Sequence, residues 1–424
     1  MIKEIRIQNF KSIRDLKLKL GRITVIIGEN GCGKSNLLEG IGFASASVAK
    51  KLDNSYLTSR GIRDTSFEWV LPAFPQDDSS DPPKPNGSMQ FTIAYGEGKK
   101  CEPFSLSPKI NKEDGSFEGW ITNYFSNDSN ADKYKKRFLD LGEKGQIKAR
   151  EAIDSLFELP SFKTDSDLIE LKDSLKSDPI HFIAILMGAV DEVEKQEDLL
   201  KAESLSDFII FAPENTTLRT PPPEGAALPL GPKGEGLFRL LQTFSDPKFE
   251  NRLQDLKARL HLFGWFDDFI TPDDSSVNQA KLKIRDRWID PERKTFDQRS
   301  ANEGFLYLLF YFSAVISWRT PKFFAFDNID NALNPRLCTE AMRQIIQLAE
   351  KYDKQIICTT HNPAILDGLD LTDSNQRLYT IRRDSEGRTI ARRVQAPKRI
   401  NNVNPVRLSE AFVRGLIGGL PEHF

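Results

Sequence analysis

The residues Gly28-Glu29-Asn30-Gly31-Cys32-Gly33-Lys34-Ser35 follow directly on the β-prone run Ile23-Thr24-Val25-Ile26-Ile27. The spacing is Gly-x-x-x-x-Gly-Lys-Ser, and Asn36-Leu37-Leu38-Glu39 then reads as the start of a helix. Strand, glycine-rich loop and helix, in that order, form a phosphate-binding loop. Gly28, Gly31 and Gly33 admit the tight turns in which successive N–H groups converge on one anion, and the helix N-terminus adds partial positive charge. In such a loop Lys34 reaches the β- and γ-phosphates of a nucleotide and the Ser35 hydroxyl ligates Mg2+.

Three later stretches carry groups suited to the same chemistry. Phe323-Phe324-Ala325-Phe326 ends in Asp327, a carboxylate at the tip of a buried strand, where it can hold a water ligand of Mg2+ opposite Ser35. Thr359-Thr360-His361 follows another apolar strand and brings His361 toward the terminal phosphate, although a lone histidine is as readily structural. Ser300-Ala301-Asn302-Glu303-Gly304 precedes an apolar helix. A polar residue and a glycine there make either a second anion site or a plain helix cap.

Periodicity predicts the elements that position these groups. Ile5-Arg6-Ile7-Gln8 and Leu16-Lys17-Leu18-Lys19-Leu20 alternate as a hairpin joined through Asn9-Phe10-Lys11-Ser12, and Met89 to Tyr95 adds a strand to the same sheet. Asp77 to Gly87 is polar and Pro-rich, a linker by composition. Charged sequence with apolar residues at helical spacing fills about Ala131 to Ser204 and predicts a helical insertion, a compact hairpin or lobe because Pro160 and Pro179 interrupt it. Phe208 to Phe211 returns to strand character, a Pro-rich loop and a helix from Leu237 follow, and Lys281 to Arg285 alternates again. Phe323 to Phe326 and Gln355 to Thr359 suit the interior of a parallel sheet. The expected domains are residues 1–130 and 206–424, as two halves of one nucleotide-binding head, split by an insertion over 131–205.

The 424 residues, 39% hydrophobic and 28% charged, are ordinary for a soluble chain with a real core. A net charge of −2 gives no global pull toward nucleic acid or an acidic membrane, so such binding falls to local patches. Cys32, Cys101, Cys338 and Cys358 lack paired spacing, which predicts a reducing cytoplasm and no disulfide framework. The start is charged rather than leader-like, and Gly304 to Trp318, the most apolar run, falls short of the ~20 residues that cross a bilayer, so no membrane partner is expected. Arg382, Arg383, Arg388, Arg392, Arg393, Lys398 and Arg399 form a basic run that is either a solvated face or a nucleic-acid contact.

The order of phosphate loop, long insertion, capped helix at Gly304, Asp327 and His361 resembles the ABC-type ATPase heads of the SMC, Rad50 and RecF group. The resemblance covers the two ends of the chain. It implies an α/β P-loop NTPase head with N-terminal antiparallel strands, a mainly parallel core sheet and a helical insertion. It also implies nucleotide contacts from Lys11, Ser12, Asn30, Gly31, Cys32, Gly33, Lys34, Ser35, Asn36, Asn302 and Gly304, with Ser35 and Asp327 on Mg2+. In that family two heads sandwich two ATP molecules, the Gly304 helix of one chain meeting the γ-phosphate held by Lys34 of the other, so a homodimer or higher homo-oligomer is implied.

Two positions depart from the pattern. The family usually follows its magnesium aspartate with a glutamate that activates water; here Asp327 is followed by Asn328, and an amide takes no proton near neutral pH. Asp330, Glu303 or His361 could substitute. Asn302 stands where serine is common and keeps a donor. ATP binding with slow or absent turnover is therefore expected, with Asn328, His361 and Asp330 the residues nearest the reaction. A closer resemblance is to stand-alone ATPases of anti-phage systems, the Septu and PARIS ATPase subunits and the OLD proteins. OLD proteins carry a fused Toprim nuclease, for which the 63 residues after His361 are too few, so the resemblance implies a separate nuclease partner that this protein scaffolds or regulates. The alternative is an active DNA-repair-type ATPase working on DNA ends or gaps.

Overall fold

Alternation in the first twenty residues folds into a hairpin, β1 (Ile2–Phe10) pairing antiparallel with β2 (Ile13–Lys19), Ile5 opposite Leu18 and Ile7 opposite Leu16. The protein is represented by a computed structural model that describes residues 1–72, 88–96, 99–100, 104–111, 116–123, 205–220, 230–271, 281–290, 295–396 and 406–419. The expected linker at 77–87, the helical insertion between Ala131 and Ser204 and the Pro-rich loop at 221–223 lie outside these residues.

In chain order the remaining elements are β3 (Ile23–Gly28), α1 (Lys34–Val48), α2 (Asn54–Ser59), β4 (Met89–Tyr95), β5 (Lys99–Lys100), β6 (Phe104–Ile110), β7 (Phe117–Asn123), β8 (Ile210–Phe211) and α3 (Asn215–Arg219). Then come α4 (Leu237–Thr243), α5 (Glu250–Leu260), β9 (Phe266–Ile270), β10 (Lys283–Asp286), β11 (Phe296–Asp297) and α6 (Glu303–Ile316). The chain continues through β12 (Phe323–Phe326), α7 (Pro335–Lys351), β13 (Gln355–Thr360), β14 (Gln376–Arg383), β15 (Thr389–Val394) and α8 (Leu408–Val413).

The main sheet runs β15-β14-β3-β13-β12-β8, parallel from β14 to β8, with β15 antiparallel at the edge. The strand that feeds the phosphate loop thus lies between two strands from the far end of the chain. The N-terminal hairpin belongs to a separate antiparallel sheet, β2-β1-β4-β6-β7, and β9, β10 and β11 form a third.

Period-two alternation divides the main sheet between two cores. Val25, Ile27, Phe324, Phe326, Ile356 and Cys358 pack toward α6 and α7; Ile26, Phe323, Ala325 and Ile357 pack toward α1 and the N-terminal sheet. Helix α1 is therefore covered on both sides. Its Gly40 admits Ile7 and Phe10, whose side-chain carbons lie 3.0 and 3.3 Å from where a Cβ would stand. Helix α6 is buried at every residue from Gly304 to Ile316 and contacts α3, α4, α5 and α7. That enclosure explains a helix apolar all round. No helix among the described residues is long and apolar enough to cross a membrane.

One buried cation stands at the start of β13. Lys354 is 3% exposed, and its Nζ donates to Thr320 O (2.7 Å), Thr320 Oγ1 (3.0 Å) and Pro321 O (3.1 Å). Burial, followed by the positive charges of Arg252 and Lys322, pushes its pKa down to about 7. The unfolded chain keeps this proton to about pH 10.4, so between those limits the unfolded state binds more protons and stability rises with pH. The expected outcome is an unfolding free energy in urea that climbs from pH 7 to 9.5 more steeply in the wild type than in Lys354→Met. Equal slopes for the two proteins would contradict the assignment.

Candidate phosphate-binding site

Strand β3 ends at Gly28, which lies opposite Ile381 of β14 so closely that any Cβ would collide with the Ile381 carbonyl. Gly28 is thus required for strand contact rather than for a special φ. Gly31 (φ +75°) and Gly33 (φ +106°) do adopt the left-handed conformation, and Gly33 caps α1, which begins at Lys34. The loop is held from outside as well. Thr389 Oγ1 of β15 donates to Cys32 O (3.0 Å), its N–H donates to Ser12 O (2.7 Å), and Arg383 Nε donates to Gly31 O (2.9 Å). With the Thr389 proton spent on Cys32, the Ser12 hydroxyl donates to Thr389 Oγ1 (2.7 Å) and itself accepts from Asn36 Nδ2 (2.8 Å).

Lys34 is buried, and its Nζ donates to the carbonyls of Gly28 (2.9 Å) and Glu29 (2.7 Å) that frame the loop. Burial lowers its pKa against the pull of Cys32, Asp327 and Asp330. His361 Nδ1 is 3.4 Å from the same Nζ. Burial and then the Lys34 charge lower the His361 pKa, so the ring is neutral. Because an ammonium has no acceptor, Nδ1 accepts and Nε2 carries the proton. Burial pushes the Cys32 thiol up, away from thiolate character.

Ser35 Oγ donates to Asp327 Oδ2 (3.1 Å), bringing together two residues 292 positions apart. Asp327 Oδ1 accepts a short bond from the Thr359 hydroxyl, which in turn accepts from the N–H of Asn328 (2.9 Å). Asn328 takes a left-handed φ of +54°, a conformation asparagine tolerates better than most residues. Asp330 Oδ1 accepts from Thr360 Oγ1 (2.7 Å) and His361 N (3.3 Å), which fixes the backbone on which His361 sits. Ser35 and Asp327 offer hard oxygen donors side by side, which fits Mg2+. Among the described residues no cluster of three or more His, Cys, Asp or Glu suits another metal.

Lys11 faces elsewhere. Its Nζ binds Glu39 Oε2 (2.6 Å), and Arg63 Nε binds Glu39 Oε1 (2.5 Å) while Arg63 Nη2 reaches Asn36 Oδ1 (3.2 Å). Burial raises the Glu39 pKa, but Arg63 and Lys11 together outweigh it and hold the carboxyl below its usual range. Asn30 and Gly31 are exposed at the mouth of the loop. Among the described residues no hydrogen bond joins Asn302 or Gly304 to Lys34 or Ser35: Asn302 Oδ1 accepts from Phe305 N (3.3 Å), and Gly304 lies against Ala332 O, 2.9 Å from where a Cβ would stand. Asn302 and Glu303 are exposed at that helix end. The sequence reading gave no role at this site to Thr389, Arg63, Glu39 or Thr359, and it named Arg383 only within the basic run. Thr359, two residues before His361, and Arg383 carried a local signal.

Comparison with known proteins places this geometry. A family model described as "AAA domain" matches residues 4–261, more than half of the chain, and a second, described as "AAA domain, putative AbiEii toxin, Type IV TA system", matches residues 211–367. The DNA double-strand break repair Rad50 ATPase of Sulfolobus acidocaldarius is 54% identical over 44 residues, 10% of this chain and only 5% of that protein's length. An SMC head solved in complex with the C-winged helix domain of ScpA aligns with a TM-score of 0.51 at 13% identity, over 93% of this chain and 98% of that one, a likeness of fold. The Pyrococcus furiosus SMC head with an extended coiled coil, bound to the C-terminal domain of ScpA, gives 0.45 at 13% identity over 93% and 96%.

Thr359 joins the Asp327 carboxylate to the Asn328 backbone, so Thr359→Val leaves a carboxylate oxygen and an N–H without their partner. An unsatisfied buried polar group costs about 1–3 kcal/mol. The expected loss of unfolding free energy in urea lies in that range, accompanied by weaker Mg2+-dependent nucleotide binding. A Thr359→Val protein with wild-type stability would show that the bridge contributes nothing.

Proposed function

This chain belongs to the AAA domain family and has the fold of an SMC head, and from that premise we propose that it is an ATP-binding subunit that pairs head to head and turns ATP over slowly or not at all. Lys34 grips the β- and γ-phosphates, and the loop N–H groups cradle them. Ser35 and Asp327 hold Mg2+, which when bound neutralises charge on the phosphate oxygens. His361, neutral and tied through its backbone to Asp330, is the sensor of the terminal phosphate. The start of α6, where Asn302 and Glu303 are exposed and Gly304 is buried behind them, seals the phosphates of a second copy.

The observation that carries the reading is Asn328 beside Asp327. An amide cannot draw a proton from water, Asp330 is engaged by Thr360 and His361, and His361 Nδ1 faces Lys34. ATP then acts chiefly to hold two heads together. In this reading the dimer scaffolds or restrains a separate nuclease in anti-phage defence. The toxin–antitoxin description of the family model over 211–367 supports that setting. The short identity with a DNA-repair ATPase favours the second reading, a DNA-stimulated enzyme.

Purified protein with Mg2+ and radiolabelled ATP should bind close to one nucleotide per chain and dimerise on a sizing column, with little phosphate released; Lys34→Ala should abolish both binding and dimerisation. Installing a general base with Asn328→Glu should raise release by about tenfold or more, since such a group contributes about 10²–10⁴-fold. Brisk release from the wild type, stimulated by DNA ends, would replace the scaffold reading with the repair one.

A further inference from the structure

The phosphate loop occupies the C-terminal ends of the parallel strands, and a second concentration of positive charge occupies their N-terminal ends. A cavity of about 250 Å³ opens there among Met1, Arg22, Lys322, Phe323, Asp353, Lys354 and Gln355. Phe323 stands opposite Gln355 and Ile356 opposite Ile23, so the cavity lies a full strand, about 17 Å at ~3.3 Å per residue, from Gly28. It is a site separate from the one described above.

Its walls are fixed by bonds that leave specific donors uncommitted. Gln355 Nε2 donates to Ile2 O (2.7 Å) and Gly21 O (2.8 Å), and its Oε1 accepts from Ile2 N (2.9 Å). Lys354 Nζ is spent on Thr320 and Pro321. The single carboxylate, Asp353, is shared: Oδ1 accepts from Arg22 Nη1 (3.2 Å) and Oδ2 from Lys322 Nζ (3.1 Å). Arg22 also donates to Ala349 O (3.3 Å) and Lys354 O (3.2 Å), again from Nη1. Among the described residues every hydrogen bond of Arg22 leaves from Nη1, so Nε and Nη2 remain for a ligand. Lys322 Nζ uses one of its three protons. Arg22, Lys322, the Met1 amino group and the protonated form of Lys354 answer one carboxylate among the described lining residues, and Arg252 adds to the positive field at Lys354.

We propose that this cavity binds a phosphate group, taken by Arg22 Nε and Nη2 and by Lys322 Nζ, with the buried Lys354 charge behind them. A phosphate monoester carries about −1.5 to −2 charges near neutral pH and so answers an excess of positive charge better than a carboxylate, which brings one. The planar guanidinium fork suits two oxygens of a tetrahedral oxyanion. A bound anion also favours the protonated form of Lys354, offsetting part of the penalty that burial and its cationic neighbours impose. Free phosphate and the 5′-phosphate of a nucleic-acid strand present the same group, and the experiment separates them.

The test uses the full chain carrying Lys34→Ala, so that the phosphate loop does not compete, with folding checked by circular dichroism. Inorganic phosphate is titrated calorimetrically at low salt, and fluorescent single-stranded DNA with and without a 5′-phosphate is followed by anisotropy. The expected result is one phosphate-bearing ligand per chain, weakened tenfold or more by Lys322→Gln, an exposed side chain whose loss leaves the fold intact, and by Arg22→Gln. Binding of phosphate alone identifies the free anion; binding of DNA only when 5′-phosphorylated, with competition by phosphate, identifies the strand end. Absence of both, or binding unchanged in Lys322→Gln, overturns the proposal.

Discussion

The structure depends on one backbone segment being held where it does not relax by itself. Residues Gly28 to Gly33 form a loop with left-handed φ at Gly31 and Gly33, the kind of backbone in which successive N–H groups can concentrate partial positive charge. The loop is steadied on both flanks. Strand β3 is hydrogen-bonded between β13 and β14, and Thr389 and Arg383 bind the carbonyls of Cys32 and Gly31. With those carbonyls tied back, the cost of ordering the loop is met during folding.

The same sheet explains how distant residues meet. Parallel strands that start level end level, so Gly28 on β3, Asp327 after β12 and His361 after β13 arrive at one edge although the chain visits them far apart. Thr359 then converts proximity into a connected array, since its hydroxyl links Asp327 to Asn328 and the next residue, Thr360, links to Asp330. The opposite edge of the sheet gathers charge for the same geometric reason. Arg22, Lys322 and Lys354 each immediately precede a strand, β3, β12 and β13, and so are collected at the N-terminal ends.

Asn328 joins local conformation to chemistry. Its φ of +54° is readily adopted by asparagine, whose short amide tolerates the left-handed region, and that same amide is inert as a base. The left-handed backbone and the absence of a basic group next to Asp327 are therefore two consequences of one side chain.

Local spacing by itself determined the loop Gly28–Ser35, the two faces of β3, β12 and β13, the buried helix after Gly304 and the hairpin β1–β2, because each depends on neighbours within a turn or along a strand. It also placed Asp327 and His361 at strand ends. Only the tertiary structure decided that Gly28 serves strand contact rather than φ, that Lys11 is spent on Glu39 with Arg63, and that Thr389, 357 positions from Cys32, braces the loop. Those outcomes rest on hydrogen bonds and contacts between segments distant in sequence, and no periodicity or motif in a single chain encodes which distant side chain the sheet will bring alongside.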